Sequence, residues 1–222
     1  MEKFESYAED QFPFREIFRR LKAQVVYHVF AQKDNNEAFV ADGHASKMEY
    51  PLNEEMLGHA AGKFEDIYEM YLKNVAGEIY FAIIPDKNYY LAEENGYLEL
   101  DYEELFSFMK EKTSYMEYVD LTETLELEDY YFTDTHWRQE KLLETAAVLS
   151  GAMGTPLKAD YQEKVLAEPF YGVYFGQSAL NLEPDTITYL TNDILESCVV
   201  TCYDKGVGER LPLYDMEKAV GK

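Results

Sequence analysis

The chain has 222 residues, of which 47% are hydrophobic and 15% aromatic, so it can bury one core with an elaboration. Its formal net charge of −23 repels nucleic acid and anionic membranes, and both are therefore excluded as partners. No stretch approaches the roughly 20 apolar residues of a membrane span, so the chain itself is not predicted to cross a bilayer. The 20 tyrosines favour amphipathic strands first and carbohydrate stacking second.

The first part of the chain alternates between helical and extended patterns. Residues 2–30 are predicted to be helical, with an interruption at Pro13, whose ring suits the first turn of a new helix. Residues 37–50 are predicted to be extended, and Gly43 marks a turn within them. A helix, a turn and a pair of extended segments are therefore expected before residue 51.

A strand–helix alternation follows and predicts the fold class. Apolar residues recur at helical spacing over residues 53–74, and Asn53 is the expected N-cap. The further predicted elements are a buried strand at 78–84, an extended piece at 88–92, a helix at 101–112, strands at 114–121 and 130–132, and a helix at 138–149. This alternation predicts an α/β core with a parallel sheet.

The sequence changes character after about residue 160. Strands joined by turns are predicted at 170–175, 186–190 and 197–203, with no competing helical period. We therefore expect an α/β core over residues 1–160 and a β-rich insertion or subdomain over 161–222. Cys198 and Cys202 would lie roughly 13 Å apart in an extended strand, whereas a disulfide needs less than about 7 Å, so no bridge is expected.

The residues Thr133-Asp134-Thr135-His136-Trp137 carry the strongest functional signal. In an extended chain Asp134 and His136 point to the same side, and here they lie between a predicted strand and a predicted helix, where open α/β sheets bind ligands. A carboxylate that fixes an imidazole supplies two members of a nucleophilic triad. The structural alternative is that Asp134 caps the following helix while His136 packs against Trp137. A metal site would need a further ligand, which no spacing supplies.

Two serines are candidates for the third member of such a triad. The segment GQSAL at 176–180 begins like a nucleophile elbow around Ser178, but Leu180 stands where the second glycine belongs. Ser150 precedes Gly151 at a predicted helix end, a position that helix termination explains. The sequence therefore favours neither serine as a nucleophile.

Three segments together suggest a family. Residues 10–15 are DQFPFR, residues 84–90 are IPDKNYY and residues 131–137 are YFTDTHW. In this order they resemble the D-x-F-P-F-R, I-P-x-K and DxHW segments of the DHHW proteins and of the related alginate O-acetyltransferase-like branch of the SGNH hydrolase superfamily. Thr135 stands where DHHW members have their first histidine, and the acetyltransferase branch often has threonine there. Lys87, within the second segment, is expected to pair with nearby carboxylates.

The resemblance implies a flavodoxin-like three-layer α/β/α sandwich in which His136 is the general base and Asp134 orients it. It places the nucleophilic serine downstream of the DxHW motif, in a segment that these residues lack. We therefore expect either an inactive portion of a longer protein or a member of the family that has lost its catalytic end. The complete form is expected to act on O-acyl groups, chiefly acetyl, of an exported or cell-surface polysaccharide. Trp137 is a candidate for stacking on the sugar, although packing at the helix start is its favoured role. No cofactor is needed, and a leader or anchor is expected upstream of Met1.

Two other functions stay open on the sequence alone. One is a non-catalytic glycan-binding or scaffold domain of the same fold, which would contact sugar through its tyrosines. The other is a cytoplasmic α/β protein whose DxHW sequence is a coincidence. Trp137 has a structural alternative as well, since it also suits packing at the start of the helix. The oligomeric state, and the choice between acetyl transfer and ester hydrolysis, are not decided by the sequence.

Overall fold

The computed structural model describes residues 12–203, 206–214 and 216. A turn at Pro13 precedes helix α1, Arg15–Gln24, which continues as a π-helical segment, Val25–Val29. The new helix predicted after Pro13 is therefore confirmed. The predicted helical residues before 12, and with them the first two residues of the DQFPFR segment, lie outside the described residues.

The extended pair expected over 37–50 is an antiparallel hairpin of β1, Ala38–Ala41, and β2, His44–Lys47. Its two-residue turn at 42–43 has positive φ at both positions (46° and 79°), as in the type I′ turns that match the twist of paired strands. Phe39 of β1 is fully buried and stacks on Tyr97, with ring centroids 3.8 Å apart. The hairpin thus contributes one wall of the core.

The helix predicted over 53–74 is also confirmed. Helix α2 spans Glu54–Ile67 and continues as a π-helical segment, Tyr68–Leu72. The Asn53 side chain accepts a hydrogen bond from Met56 N (2.9 Å), which satisfies one of the free amides at the helix start. The predicted N-cap is therefore the observed one.

The predicted strands on either side of residue 100 are shorter than expected. Strand β3, Tyr80–Phe81, pairs in parallel with β4, Glu117–Tyr118. Between them lie α3, Asn88–Leu91, and α4, Tyr102–Lys112. The helix predicted at 101–112 is confirmed, but the extended piece predicted at 88–92 is wrong. The Asp86 carboxylate accepts a hydrogen bond from Asn88 N (2.7 Å), and this local turn starts a helix instead.

The segment around the DxHW sequence is a loop followed by a helix. The strand predicted at 130–132 is reduced to a single antiparallel bridge between Tyr130 and Trp137. The helix predicted over 138–149 begins as a 3₁₀ turn, Gln139–Lys141, and becomes α5, Leu143–Ala152. The helix is therefore present but is shifted by a few residues toward the C-terminus.

Beyond residue 160 the chain forms a long antiparallel pair with a helix between its strands. Strand β5, Gln162–Phe170, pairs with β6, Asp185–Thr191, and the second of these matches the strand predicted at 186–190. The strand predicted at 170–175 is wrong, because β5 ends at Phe170 and helix α6 occupies Val173–Ser178. This helix lies against the loop that contains the DxHW sequence.

The last described elements are short. Helix α7, Asp193–Ser197, precedes an antiparallel pair of β7, Val200–Cys202, and β8, Glu209–Leu211. The strand predicted at 197–203 is therefore present only in part, because its first residue belongs to helix α7. Cys198 and Cys202 are free thiols, as predicted.

Two buried clusters form the centre of the described structure. The clusters are Ala23 with Ala179 and Leu180, and Phe39 with Leu91 and Ala92. The described residues contain four two-stranded sheets, of which only β3–β4 is parallel. The predicted mixture of helices and strands is confirmed, whereas the three-layer sandwich and the division at residue 160 stay predictions. Within the described ranges no helix is long and apolar enough to cross a bilayer.

Candidate active site

Residues 131–136 form a tight loop, here called the DTH loop. Its base is closed by the bridge between Tyr130 and Trp137, and the first amide of the loop donates to the His136 carbonyl (3.1 Å). The chain therefore reverses direction across the loop, with Asp134 at its centre. A turn, and not the alternation of an extended strand, brings Asp134 and His136 together.

The Asp134 carboxylate and the His136 ring are joined directly. His136 Nδ1 lies 2.6 Å from Asp134 Oδ1, and the same oxygen accepts from His136 N (3.0 Å). The other oxygen, Oδ2, accepts from Val173 N at the start of α6 (3.0 Å). The Asp134 side chain is 8% exposed, whereas that of His136 is 74% exposed. The pair thus presents an imidazole that is fixed on its inner side and open to solvent on its outer side.

The charge state of Asp134 fixes the tautomer of His136. Burial raises the pKa of Asp134, but hydrogen bonds from His136 and Val173 together outweigh it and leave the pKa below its ordinary value of 3.8. An ionised carboxylate only accepts hydrogen bonds, so His136 donates its Nδ1–H. In the neutral imidazole Nε2 is then the nitrogen without a proton, and it is able to take one from a hydroxyl group.

The buried Asp185, the first residue of β6, holds the DTH loop through three hydrogen bonds. Its Oδ1 accepts from Phe132 N (2.7 Å), while its Oδ2 accepts from Thr133 N (2.8 Å) and from Thr133 Oγ1 (2.6 Å). These bonds fix the residues just before Asp134. No sequence motif identifies Asp185 as part of the site, because a contact between residues 52 positions apart leaves no local pattern.

The start of helix α6 also holds the loop at Thr133. The Thr133 hydroxyl accepts from Gly172 N (2.8 Å), and the Thr133 carbonyl accepts from Tyr174 N (3.0 Å). A Cβ atom on Gly172 would lie 2.6 Å from both Asp134 Oδ2 and the Thr133 carbonyl oxygen. Only glycine allows the backbone to approach the loop this closely.

Lys87 lies beneath this loop and is 1% exposed. Its Nζ donates to the carbonyl oxygens of Ala45 and Tyr131, the latter at 2.9 Å. The expected pairing with a carboxylate is therefore wrong for the described residues, since the partners are backbone carbonyls. Burial lowers the pKa of Lys87 to about 7, although nearby carboxylates partly oppose the shift.

Neither candidate serine lies at the Asp134–His136 pair. Ser178 is fully buried at the end of α6, where its hydroxyl accepts from Leu180 N (3.3 Å). Ser150 lies within α5 and donates to the Ala147 carbonyl (3.1 Å). Among the described residues, no hydrogen bond joins a serine to His136.

The structure thus brings two of the three predicted site residues into direct contact. The third, Trp137, follows His136 in the chain and is half-buried at the base of the loop, with its backbone paired to Tyr130. Asp134 does not cap the following helix, as the structural alternative required, because it binds the start of α6 instead. In the part of the chain that the structure describes, no group of three or more His, Cys, Asp or Glu side chains is arranged to hold a metal ion.

Neither a family model nor a curated protein matches the sequence. Solved structures do match. A DHHW family protein from Eubacterium siraeum aligns over 72% of this chain and 56% of its own, with a TM-score of 0.58 and 19% identity. The chain has the fold of a DHHW protein.

Two further structures share this DHHW-like fold. PatB1 of Bacillus cereus, solved with a sulfonyl adduct, aligns over 78% of this chain and 63% of its own at 17% identity, with a TM-score of 0.60. The O-acetyltransferase domain of AlgJ from Pseudomonas putida aligns over 69% and 64%, at 16% identity and a TM-score of 0.50. The resemblance predicted from three sequence segments is confirmed at the level of the fold. The aligned part amounts to between 56% and 64% of the length of these three proteins.

Proposed function

We propose that this DHHW-like chain belongs to a protein that transfers or removes O-acyl groups, chiefly acetyl, on a polysaccharide, with His136 as its base. One observation carries the proposal: the 2.6 Å hydrogen bond between a buried carboxylate, Asp134, and an exposed imidazole. Such a pair is the base half of a nucleophilic triad. The similarity to a fold that includes an O-acetyltransferase domain supports the same class of reaction.

The proposed reaction proceeds by two acyl transfers. A serine hydroxyl attacks the acyl carbonyl while its proton passes to His136 Nε2, and the Asp134 carboxylate stabilises the imidazolium. The tetrahedral intermediate expels the alkoxide of the donor, which takes the proton from His136 and leaves an acyl-serine ester. A sugar hydroxyl, or water in the hydrolytic case, then attacks this ester, with His136 again acting as base.

We further propose that the serine comes from sequence that follows residue 222, since Ser178 is fully buried and no described serine bonds to His136. On this proposal residues 1–160 are part of an SGNH-like core, and the parallel pair β3–β4 belongs to the larger sheet of a flavodoxin-like three-layer sandwich. Trp137 lies against the sugar. The site works outside the cell or in its envelope, where an exported polysaccharide is found.

The test compares this chain with the product of its complete reading frame. The gene is sequenced on both sides of these codons, and turnover of a small acetyl ester is measured for both proteins. We expect no serine-dependent turnover by the 222-residue chain. The complete product should be active and should lose about 10³-fold or more in kcat on His136→Ala, but not on Ser178→Ala. A stop codon directly after Lys222, or labelling of Ser178 by a fluorophosphonate, would contradict the proposal.

A tyrosine-lined cleft favours a second candidate function, glycan binding without catalysis. The cleft has a volume of about 700 Å³ and is lined by Tyr50, Tyr89, Glu93, Glu99, Leu100, Asp101, Tyr102 and Glu103. Tyr50 is 60% exposed and Tyr89 is 37% exposed, so their rings are available to stack on a sugar. Because the lining contains carboxylates and neither lysine nor arginine, a neutral or amine-bearing glycan fits it better than a polyanion.

Binding measurements separate the two candidates. Under the second one, glycan binding survives His136→Ala and is lost on Tyr50→Ala or Tyr89→Ala. Tyr71→Ala is the matched control, because Tyr71 is 70% exposed but lies outside the cleft. Binding that is unchanged in both cleft variants would remove this candidate.

A further inference from the structure

Lys87 meets two separate segments of the chain at one buried point. Its Nζ bonds to the carbonyl of Ala45, in β2, and to the carbonyl of Tyr131, the first residue of the DTH loop. The same nitrogen lies 5.1 Å from the centroid of the Tyr174 ring, in α6. The hairpin, the loop and the helix therefore converge on a single lysine nitrogen.

The residues around Lys87 also hold the next two carbonyls of the loop. Ala45 N donates to the Phe132 carbonyl (2.7 Å), and Tyr174 N donates to the Thr133 carbonyl (3.0 Å). The three successive carbonyls before Asp134 are thus held by Lys87 itself or by a residue that Lys87 contacts. A shift of Lys87 would be transmitted to the backbone that carries Asp134.

The need of two buried carbonyl oxygens for hydrogen-bond donors explains why a lysine occupies this position. Two buried carbonyl oxygens from distant segments each need a donor, and an unsatisfied buried carbonyl is costly. The lysine nitrogen offers three N–H donors as an ammonium group and two as a neutral amine, so both carbonyls have a donor in either charge state. Burying such a group is itself unfavourable, so its presence here needs a reason beyond filling space.

We propose that Lys87 is a positioning residue for the Asp134–His136 pair. It fixes the start of the DTH loop, and thereby the orientation in which His136 Nδ1 faces Asp134. The inference rests on the proposed function, because only a reaction that uses His136 as a base requires that orientation. The hydrogen bonds and the ring contact of Lys87 involve Ala45, Tyr131 and Tyr174 and not His136, so its effect on chemistry passes through the loop.

Histidine nitrogen spectra of the 222-residue chain test the positioning directly, without any turnover. The ¹H–¹⁵N long-range spectrum of ¹⁵N-histidine-labelled protein reports which ring nitrogen of His136 carries the proton, and His136→Gln assigns its signals. In the parent we expect His136 to be Nδ1-protonated. In Lys87→Met we expect this signature to give way to an exchanging mixture of tautomers, while His28 and His59 keep their signals.

Two controls separate loss of the donor from general perturbation. Lys63→Met removes an exposed lysine of α2, and Ser178→Ala alters a fully buried polar residue at the end of α6. Neither should change the His136 signals. Lys87→Gln retains an amide donor and should preserve more of the Nδ1-protonated tautomer than Lys87→Met does.

Each outcome decides the proposal. An unchanged His136 tautomer in a folded Lys87→Met protein would overturn it, and so would complete unfolding of both Lys87 variants, since Lys87 would then maintain the whole fold and not the loop. In the complete gene product Lys87→Met should lower kcat by about 100-fold at nearly constant KM. If His136 is locked by Lys87 but the complete protein shows no acyl turnover, the proposed function fails while the positioning role stands.

Discussion

Gly172 and Asp134 pack so closely that no side chain fits between them. A Cβ atom on Gly172 would lie 2.6 Å from Asp134 Oδ2, the oxygen that accepts the hydrogen bond from Val173 N. Gly172→Ala should therefore push α6 away from the DTH loop and break that hydrogen bond. We expect the free energy of unfolding to fall by about 1–3 kcal/mol, as for other overpacked sites, and urea unfolding measures the change.

Gly176→Ala is the matched control for this prediction. Gly176 lies in the same helix, α6, but a Cβ atom there would meet nothing within 4 Å. Alanine at this position should leave stability unchanged or raise it slightly, because alanine favours helix more than glycine does. If Gly172→Ala and Gly176→Ala change the free energy of unfolding equally, the close contact with Asp134 is not the reason that position 172 requires glycine.

Asp185 is predicted to be essential for the DTH loop. Its two oxygens accept three hydrogen bonds, from Phe132 N, Thr133 N and Thr133 Oγ1. In Asp185→Asn an amide NH₂ group would face at least one of these donors, which leaves a buried donor unpaired. We expect a loss of about 1–3 kcal/mol in unfolding free energy, together with loss of the fixed His136 tautomer.

An exposed aspartate, Asp160, provides the control for Asp185→Asn. Asp160→Asn changes a carboxylate that is exposed just before β5, and such surface substitutions usually alter stability by less than about 0.5 kcal/mol. A loss of stability in Asp185→Asn that does not exceed this control would mean that the loop is held by its other contacts.

Local sequence signals predicted the elements that depend on local chemistry. Asn53 and the helical spacing after it predicted α2, and Gly43 predicted the turn between β1 and β2. Pairing of Asp134 with His136 was also predictable, since both residues lie in one short segment. In each case the residues that determine the structure are within a few positions of one another.

Long-range contacts decided the features that the sequence did not predict. The segment 173–178 contains valine, tyrosine and phenylalanine, which favour strands, yet it forms α6, where Val173 N donates to the distant Asp134. Asp185 and Lys87 have their partners 42 to 53 residues away. No periodicity or motif encodes such distances, so their roles emerge only from the folded structure.

Burial of Lys87 should make stability depend on pH above neutrality. Its pKa is lowered to about 7 in the folded protein, against about 10.4 in an unfolded chain. Between these values the unfolded state binds a proton that the folded state does not, so the free energy of unfolding rises with pH. We expect a rise between pH 7 and 9.5 that is absent in Lys87→Met, as measured by urea unfolding at each pH.

The exposed Lys63 provides the reference for that slope. Lys63→Met should retain the full rise of the parent protein, because Lys63 lies on the surface of α2 beside Asp66. A slope that is the same in Lys87→Met and in Lys63→Met would show that Lys87 is charged throughout this range and that burial does not suppress its ionisation.

Because of His44, the free energy of unfolding should also rise with pH on the acidic side of neutrality. The residue is buried beside Phe132, with ring centroids 4.6 Å apart. Its Nδ1 lies 3.1 Å from the Asp42 carbonyl, and its Nε2 has no hydrogen-bond partner among the described residues. Burial lowers the pKa of His44, and the charge of Lys87 adds to that effect, although the Asp42 carbonyl opposes it.

Protonation of His44 is therefore linked to unfolding. As the pH falls below about 6.5, the unfolded chain gains a proton on this histidine before the folded protein does, and the free energy of unfolding decreases. His44→Phe keeps an aromatic ring against Phe132 but cannot titrate, so its stability should fall less than that of the parent between pH 7 and 5. His59→Gln, at an exposed position of α2, should follow the parent. A His44→Phe protein with the parent's acid sensitivity would assign that sensitivity to other groups, such as the carboxylates that hold the DTH loop.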